Sequence, residues 1–396
     1  MNDSKKTSQG FSTQSVHGGE ARKKAEDSIT VPIIHASTYT FGDTQELVDF
    51  MEGKLERNEE YGRYGNPTQH AAEKKLAELE GGDASLLFSC GMAAITTSLL
   101  ALIKKDTHII FTNDCYRKTR QFANEILGKF EIEYALVEPK VDAIAAAIQS
   151  NTQIIFTESP TNPYMNVVDL EKLVPLAREN QIKTIIDSTF ATPYNQRPLE
   201  FGVDLVIHSA TKYLGGHNDL LAGCVIGRHG LISVIKDVQG MLGPVVDPMS
   251  SYLLNRGLKT FALRIEKQNQ NGQRIAEFLE QHPKVVRTFY PGLASHPDHQ
   301  IAKAQMRGYG SVVSFELDGT IDECSRFVDA MKIPYIAPSL GGVESLIEQP
   351  ALMSFFELTT EQREAIGIKE NLIRFAIGIE DSEDLIADLE QALEQL

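Results

Sequence analysis

The chain has 396 residues and a formal net charge of −16, with 42% hydrophobic and 23% charged residues. This composition is typical of a globular protein, and the length exceeds what one hydrophobic core normally supports, so we expect two main domains. The excess of acidic residues argues against nucleic acid and against an anionic membrane as partners.

The N-terminal residues 1 to about 30 are polar and charged, and no apolar segment in them would act as a targeting signal. We predict that they form a mobile or partner-bound arm rather than a core element. No apolar run approaches the length of a membrane-spanning helix, so we expect a cytoplasmic protein. The cysteines have no CxxC or zinc-ligand spacing, which suits a reducing compartment and predicts no metal site; they are Cys90, Cys115, Cys224 and Cys324.

An apolar strand that ends near Phe88 passes through a turn of small residues into a helical run. Such a junction directs backbone amides and a helix N-terminus at an anion. Gly91 and Met92 would supply those amides. Cys90 lies beside this turn, and we favour a packing role for it over a redox role.

The middle of the chain alternates short apolar runs with helical patterns. This alternation predicts a mainly parallel sheet covered by helices. Polar candidate residues follow the carboxyl ends of the strands, where open α/β sheets bind ligands. The predicted strands are residues 108–112, 133–137, 153–157, 184–187, 205–208 and 222–226, and the predicted helices include 141–149 and 169–180.

Polar residues at the ends of two successive strands indicate a pyridoxal-phosphate site. Asp187 ends a buried strand, where a carboxylate needs a partner such as a protonated pyridine nitrogen. At the end of the next strand, the hydroxyls of Ser209 and Thr211 can donate to a phosphate, and the amine of Lys212 can form an imine with an aldehyde. Taken singly, the lysine could be a solvated residue and Asp187 the cap of a turn. The occurrence of both at the ends of successive strands favours a pyridoxal-phosphate site over these separate explanations.

A long helical pattern covers residues 248–282 and is broken near Gly257 and Gly272. It leads to a second region with strand patterns at residues 310–317 and 372–378. The mixture of elements predicts a smaller α+β domain after the large one.

Seven motifs and single residues, in order along the chain, resemble those of the Cys/Met-metabolism family of pyridoxal-phosphate enzymes. This family contains cystathionine γ-synthase, the cystathionine lyases and methionine γ-lyase, and the resemblance runs from about Thr13 to the C-terminus. The motifs and residues are Tyr-Gly-Arg-Tyr-Gly-Asn-Pro-Thr at 61–68, Asp-Cys-Tyr-Arg-Lys-Thr at 114–119, Glu-Ser-Pro-Thr-Asn-Pro at 158–163, Asp187, Lys212, and the segments 339–346 and 372–381.

The resemblance implies a role for individual residues. Tyr61 and Arg63 would reach the phosphate of the neighbouring subunit, and Tyr116 would stack on the cofactor ring. Asn162 would lie near the ring oxygen and the substrate carboxylate, which Arg374 would clamp together with Ser339. Asp187 would hold the pyridine nitrogen and Lys212 would be the Schiff-base lysine.

The resemblance also implies the fold and the assembly. We expect an aspartate-aminotransferase-like large domain of fold type I with a mainly parallel sheet, followed by a smaller α+β domain. The corresponding bounds are residues 1–60 for an arm that contacts a neighbouring subunit, 61–255 for the cofactor-binding domain and 256–396 for the C-terminal domain. Because one subunit would complete the site of another, we expect a homotetramer built as a dimer of dimers.

The expected reaction is a γ-replacement in which an activated homoserine ester and L-cysteine give L-cystathionine. Lys212 would move protons among the reacting carbons with help from Tyr116. Several sequence motifs of the chain resemble those of the plant-type branch of cystathionine γ-synthase. Many bacterial synthases and γ-lyases have an acidic residue where this chain has Pro338. Elimination of the γ-lyase type and sulfide addition to a homoserine ester stay open, as does the choice among phosphate, acetate and succinate esters. A non-catalytic relative is disfavoured because Lys212 and Asp187 are both present.

Overall fold

The computed structural model describes residues 9–55, 59–356 and 358–396. The predicted N-terminal arm extends into residues 1–8 and 56–58, which lie outside this range. The proposed domain bounds stay a prediction. The architecture consists of one large and one small sheet, each covered by helices.

The large sheet has seven strands in the order β1-β7-β6-β5-β4-β2-β3. Strand β7 runs antiparallel to both of its neighbours, and the remaining pairs are parallel. The predicted mainly parallel sheet is therefore confirmed. Its strands are β1 (Ala84–Phe88), β2 (His108–Thr112), β3 (Glu133–Val137), β4 (Thr152–Glu158), β5 (Lys183–Asp187), β6 (Leu205–His208) and β7 (Gly223–Gly227).

The central strands are apolar without interruption because both faces of the sheet are covered. In β2, Phe111 packs in one hydrophobic layer with Phe156 of β4. The neighbouring residue Ile110 packs in the opposite layer with Ile155. Successive side chains of a strand point to opposite faces, so each of these strands supplies both layers of the core.

The helices follow the strands in alternation. Helix α7 confirms the predicted helical segment 169–180, with Asp169 capping its N-terminus by accepting the N–H of Lys172 at 3.2 Å. The helices are α1 (Phe11–His17), α2 (Thr44–Met51), α3 (Pro67–Glu80), α4 (Gly91–Leu102), α5 (Arg117–Glu125), α6 (Val141–Ala146), α7 (Leu170–Glu179), α8 (Thr192–Asn195), α9 (Pro198–Phe201), α10 (His229–Leu242), α11 (Pro248–Leu258), α12 (Phe261–Gln281), α13 (His299–Gln305), α14 (Ile321–Ala330), α15 (Thr360–Ala365) and α16 (Ser382–Leu393).

The small sheet has the strand order β10-β11-β12-β9-β8 and is mostly antiparallel, with β10 and β11 parallel. Helices α12, α14 and α16 supply apolar residues to its core. This arrangement agrees with the smaller α+β region predicted for the C-terminal part. The strands are β8 (Val285–Phe289), β9 (Val312–Leu317), β10 (Tyr335–Ile336), β11 (Leu346–Glu348) and β12 (Leu372–Ala376).

The predicted break at Gly272 is wrong, because α12 continues through this residue. A Cβ atom at Gly272 would lie 2.5 Å from the carbonyl oxygen of Gly310. The glycine therefore allows close packing of the helix on the chain before β9. The break predicted near Gly257 is found just beyond it, between α11 and α12.

Part of the N-terminal segment packs on its own chain, so the prediction of an arm outside the core is wrong for these residues. The ring of Phe11 in α1 lies 5.1 Å from that of Tyr194 and 5.8 Å from that of Phe261. Lys75 of α3 is fully buried. Its Nζ lies 2.9 Å from Glu20 Oε1 and donates to the carbonyl groups of Ser15 and Val16. Contact with a neighbouring subunit stays a prediction.

Lys75→Ala should lower the free energy of unfolding by about 2 kcal/mol, because it leaves the Ser15 and Val16 carbonyls without their buried donor, whereas Glu20 keeps Lys24 and Lys259 as partners. It should also make the segment before residue 24 accessible to proteases. Urea unfolding and limited proteolysis check both results, with Lys74→Ala on the exposed side of α3 as the matched control. Equal stability of the two variants would contradict the anchoring role of Lys75.

Among the described residues, no helix is long and apolar enough to cross a membrane. The four cysteines are free thiols. The expected cytoplasmic location stays a prediction.

Candidate active site

A cavity of about 390 Å³ opens at the carboxyl edge of the large sheet. The ends of β1, β4, β5 and β6 line one side. The segment around Ser339, the end of β11 and Arg374 in the middle of β12 line the other. Ten of the twelve predicted site residues border it: Gly91, Met92, Tyr116, Asn162, Asp187, Ser209, Thr211, Lys212, Ser339 and Arg374. The topology therefore gathers residues that are up to 283 positions apart in the sequence, from Gly91 to Arg374.

Lys212 lies in this cavity just beyond the end of β6, and its Nζ donates to Ser339 Oγ at 2.6 Å. Burial, reinforced by the positive charge of Arg374, lowers the pKa of the amine to about 8. Roughly a tenth of the amine is therefore neutral at pH 7, far more than for a solvated lysine. A neutral lysine can act as a nucleophile toward a carbonyl group and as a base.

Asp187 lies beside a second carboxylate, Glu158, in the register of the neighbouring strands β5 and β4. Burial raises the pKa of both groups, and the negative charge of Asp187 raises that of Glu158 further. The N–H and hydroxyl of Thr189 donate to Asp187 Oδ1 and favour its ionised form. Two adjacent buried carboxyls tend to share one proton, so we assign the proton to Glu158 and the negative charge to Asp187.

The turn between β1 and α4 forms a cradle for an anion. An α-helix leaves its first amides without intrahelical acceptors, and those of α4 belong to Gly91 and Met92. Cys90 caps the same helix, because its Sγ accepts the N–H of Ala93 at 3.4 Å. A Cβ at Gly91 would lie 2.9 Å from Ser209 Cβ. The absence of that atom allows the amides and the Ser209 hydroxyl to converge.

Thr211 borders the cavity, but its hydroxyl donates to the carbonyl of Ala222 at 3.1 Å and accepts the Ala222 N–H at 3.0 Å. To donate to a phosphate as predicted, the Thr211 hydroxyl would have to give up its bond to the Ala222 carbonyl. By contrast, the Ser209 hydroxyl has no hydrogen-bond partner in the part of the chain that the structure describes. Ser209 is therefore the stronger phosphate donor of the two.

Gly91→Ala should raise the dissociation constant of pyridoxal phosphate about tenfold, which corresponds to about 1.4 kcal/mol. The added methyl group would push the N-terminus of α4 away from Ser209 and separate the phosphate donors. Gly230→Ala is the matched control, because Gly230 lies in the first turn of α10 and a Cβ atom added there would meet nothing within 4 Å. Equilibrium dialysis of the apoenzymes measures both affinities. Unchanged affinity in Gly91→Ala would contradict the cradle.

Arg374 is held at the opposite wall of the cavity by three residues. Its Nη1 lies 2.9 Å from Glu348 Oε1, which belongs to the residue opposite it on the neighbouring strand β11. Nη2 donates to the carbonyl of Ser339 at 2.9 Å, and Nη1 lies 3.4 Å from Asn162 Oδ1. The guanidinium is thereby fixed in a geometry that can receive a carboxylate through two parallel N–H groups.

Ser339 has a φ angle of 100°, a backbone conformation that residues other than glycine rarely adopt. This conformation allows its hydroxyl to meet Lys212 while its carbonyl meets Arg374. Unfavourable backbone geometry of this kind persists where surrounding contacts enforce it, often at functional sites. Ser339 therefore joins the amine and the guanidinium into one unit.

Tyr61 and Arg63 do not border the cavity. The Arg63 guanidinium lies over the rings of Tyr61 and Tyr64, at 5.4 and 4.9 Å from their centroids, and all three side chains are exposed. Their contribution to a neighbouring subunit stays a prediction.

Two buried acidic residues of the cavity, Glu158 and Glu348, received no role from the sequence. Each lies in register with a predicted residue on the next strand, Asp187 and Arg374 respectively. The local signal for both is an acidic residue at the end of an apolar run, and Glu158 also begins the motif at 158–163. That signal is weak, because many strands end in a solvated carboxylate.

This set of groups fits pyridoxal phosphate. The cradle at Gly91 and Ser209 suits the phosphate, the buried carboxylate of Asp187 suits the pyridine nitrogen, and the amine of Lys212 suits the aldehyde. Among the described residues, no group of three or more His, Cys, Asp or Glu side chains could hold a metal ion. Fold and site together define a pyridoxal-phosphate-dependent enzyme of fold type I.

Comparison with known proteins identifies the family. Residues 12–394 match the family model described as "Cys/Met metabolism PLP-dependent enzyme". The chain is 50% identical to the chloroplastic cystathionine γ-synthase 1 of Nicotiana tabacum over 96% of this chain and 71% of that protein. It is 42% identical to a cystathionine β-lyase of Lactococcus lactis over 97% and 98% of the two chains.

The fold is also similar to the crystal structure of cystathionine γ-lyase from Lactobacillus plantarum complexed with L-serine. The TM-score is 0.90 at 39% identity, with coverage of 98% of this chain and 99% of the other. The chain belongs to the Cys/Met-metabolism family of pyridoxal-phosphate-dependent enzymes. The predicted family, fold type, enzyme class and cofactor are confirmed.

Proposed function

We propose that this enzyme catalyses a γ-replacement in which an activated homoserine ester and L-cysteine give L-cystathionine and the free acid of the ester. The observation that carries the proposal is the contact of Lys212 with Ser339, whose carbonyl also holds Arg374. A substrate carboxylate on Arg374 would bring the neighbouring Cα within reach of the Lys212 amine.

Each residue of the cavity has a definite task in this reaction. Bound pyridoxal phosphate supplies an electron sink, which Asp187 supports by holding the ring nitrogen protonated. Arg374 and Asn162 orient the α-carboxylate of the homoserine ester. Lys212 Nζ takes the proton from Cα and later one from Cβ, so that the ester group leaves from Cγ as an anion. The cysteine thiol loses its proton as its sulfur forms the bond to Cγ, and that proton and the departed anion together make up the free acid. Lys212 returns protons to Cβ and Cα.

Two observations support synthesis over elimination. The first is the 50% identity to a plant synthase. The second is the set of motifs that resembles the plant-type branch of the synthase, such as Tyr-Gly-Arg-Tyr-Gly-Asn-Pro-Thr at 61–68. Pro338 borders the cavity but does not discriminate, because many bacterial synthases and γ-lyases share an acidic residue there. Elimination of the lyase type is the second candidate, because the similarity to a β-lyase and to a γ-lyase structure is almost as high.

The deciding experiment offers the phosphate, acetate and succinate esters of homoserine to the purified enzyme, each alone, with cysteine and with sulfide, and offers cystathionine in a separate assay. Cystathionine and 2-oxobutyrate are quantified side by side. The synthase proposal expects cystathionine as the main product with at least one ester. Faster release of 2-oxobutyrate from cystathionine than synthesis of cystathionine from any ester would replace it with the lyase. Product formation with sulfide but not with cysteine would indicate a sulfhydrylase.

The proposed assembly is a homotetramer in which Tyr61 and Arg63 complete the phosphate site of a neighbouring subunit. Their exposure on the surface and their distance from the chain's own cavity support this arrangement. Arg63 would add a bidentate donor to the phosphate. Sedimentation of the purified protein measures the number of subunits.

Mixing Arg63→Ala with Lys212→Ala chains should restore about a quarter of the wild-type activity, because in a two-fold symmetric pair one of the two shared sites of each hybrid is native. Each variant alone should be nearly inactive. Subunit exchange is verified by differently tagged chains, and mixing two differently tagged Lys212→Ala preparations is the control. Absence of recovery after complete exchange would contradict the shared site.

A further inference from the structure

One face of helix α12 carries a stripe of buried polar side chains. Arg264, Gln268 and Asn271 follow one another at intervals of four and three residues, so they lie on the same face of the helix. Their exposed fractions are only 4%, 1% and 1%. The helix also buries apolar residues such as Ile265 and Ile275. We call the three polar residues the polar stripe.

The first residue of the polar stripe holds the turn that carries Lys212. Arg264 Nη1 donates to the carbonyl of Tyr213 at 2.7 Å, and Nη2 donates to that of Leu214 at 3.5 Å. These two carbonyls belong to the residues that directly follow Lys212 in the chain. The position of the amine therefore depends on a side chain from α12.

The second residue of the polar stripe holds the opposite wall of the cavity. Gln268 Nε2 donates to the carbonyl of Gly342 at 2.8 Å, three residues after Ser339. It also lies 3.5 Å from the carbonyl of Ile377, the residue that follows strand β12. Because β12 contains Arg374, Gln268 joins the two segments that supply the Ser339 hydroxyl and the guanidinium.

The third residue of the polar stripe continues this contact along the chain. Asn271 Nδ2 donates to the carbonyl of Gly378 at 3.2 Å and to that of Glu380 at 2.8 Å. Both carbonyls follow β12, so Asn271 and Gln268 together fix the end of the strand that carries Arg374.

The two walls of the cavity also pack directly against each other beneath the helix. A Cβ atom at Gly341 would lie 2.6 Å from the backbone nitrogen of Tyr213. Two residues before Gly341, the hydroxyl of Ser339 meets the amine of Lys212. A shift of either segment on α12 would therefore be transmitted to the contact between amine and hydroxyl.

Stability alone gives a weak account of the polar stripe. A buried polar group is costly unless its hydrogen bonds are made, and Gln268 Oε1 lacks a partner among the described residues. An apolar side chain of similar size would avoid the cost of this unpaired oxygen. The hydrogen bonds of the stripe all end on backbone next to the site, which points to a role in its geometry.

We propose that the polar stripe sets the distance between the Lys212 amine and the α-carbon of a substrate held by Arg374. Arg264 fixes the amine, whereas Gln268 and Asn271 fix the guanidinium. The three are positioning residues, because they act through the segments that they hold. The proposal rests on the roles of Lys212 and Arg374 in the proposed function, and it applies equally whether the enzyme synthesises or cleaves cystathionine.

The test measures the initial rate at which L-cystathionine loses its Cα–H signal in D2O by nuclear magnetic resonance, expressed per bound cofactor. Cystathionine is the product of the proposed reaction and the substrate of the lyase candidate, so Lys212 removes its Cα proton in both cases. The amine takes up this proton and can return a deuteron that it obtains from the solvent. The readout therefore reports the step that depends on the distance from Lys212 to Cα.

Gln268→Met retains the approximate size of the side chain but removes its donor. The maximal rate should fall about tenfold, because a misplacement of about 1 Å can cost as much as about 10²-fold. The cystathionine concentration that gives half of the maximal rate should stay that of the wild type, since the contacts of Arg374 with Glu348 and Ser339 are retained. Asn271→Leu should act in the same direction as a second variant.

Gln270→Met is the matched control. Gln270 lies two residues after Gln268 on the exposed side of α12, so its replacement should leave the rate unchanged. Partial unfolding would lower the amount of bound cofactor but not the rate per cofactor. The measurement therefore separates lost alignment from lost stability.

Wild-type rates per bound cofactor in both Gln268→Met and Asn271→Leu would overturn the proposal, as would an equal loss of rate in Gln270→Met. Either result would leave the proposed reaction intact. If the wild-type enzyme itself left the Cα–H signal of cystathionine unchanged, the proposed function would fail and the role of the polar stripe with it.

Discussion

Lys212→Ala should lower turnover by at least about 10³-fold, because a positioned general base alone contributes about 10²–10⁴-fold and this residue is also the predicted covalent anchor. Borohydride treatment of the wild-type holoenzyme should fix the cofactor on the peptide that contains Lys212. The variant should take up no cofactor that resists denaturation after reduction. Peptide mapping by mass spectrometry and a turnover assay measure the two effects.

The matched control is Lys183→Ala. Lys183 begins the neighbouring strand β5 at the opposite edge of the sheet and pairs with Asp204 at 3.0 Å. It should retain both the covalent cofactor and activity. Persistent covalent attachment in Lys212→Ala would contradict the assignment, and circular dichroism of the apoenzyme separates loss of chemistry from loss of folding.

The lowered pKa of Lys212 also predicts how the apoenzyme captures its cofactor. Only the neutral amine attacks an aldehyde, and burial sets the pKa of this amine at about 8. The capture rate should therefore rise as the pH increases toward 8 and level off above it, instead of rising through the usual range of a solvated lysine near 10. Stopped-flow absorbance between pH 6 and about 10 tests this profile. A rate that still increased steeply well above pH 8 would show that the amine is not buried in the apoenzyme.

Local sequence patterns predicted the cofactor side of the site well because its residues directly follow parallel strands. In an α/β sheet, strand order leaves Asp187 and Lys212 at the same edge whatever the lengths of the intervening helices. An apolar run followed by a polar residue is visible in a single sequence. Asp187 and Lys212 accordingly border the same cavity, and their roles stay a prediction.

Residues whose role depends on register were harder to identify. Glu348 meets Arg374 because β11 and β12 are antiparallel neighbours, and nothing local to the segment 346–348 specifies that pairing. Gly272 was mistaken for a helix break because its reason is a close approach to Gly310, which is distant in the sequence. The burial of Lys75 is also hard to predict from local sequence. A lysine on a helix is normally solvated, and the burial of this one depends on its contact with the distant residue Glu20.

Arg374→Lys should raise the KM for the homoserine ester about 10- to 100-fold, since hydrogen bonds to charged groups contribute about 1.5–3 kcal/mol and lysine cannot reproduce the bidentate contact. The guanidinium is oriented by Glu348 and by the Ser339 carbonyl, so a point charge on a flexible chain would lose the alignment of Cα with Lys212. The absorption spectrum of the bound cofactor should remain that of the wild type, because Arg374 belongs to the substrate side of the cavity. Steady-state kinetics and the spectrum are measured on the same preparation.

The matched control for this substitution is Arg287→Lys, in strand β8 of the same small sheet. Arg287 is exposed and lies over the ring of Phe289 at 4.7 Å. Strand β9 separates β8 from β12, and Arg287 does not border the cavity, so KM should not change. A fall in kcat with an unchanged KM in Arg374→Lys would show that the guanidinium acts only on the reacting state and not in substrate binding. An altered cofactor spectrum would place Arg374 in the cofactor site instead. The expected pattern, a raised KM with the spectrum preserved, follows from a guanidinium fixed in advance for the α-carboxylate.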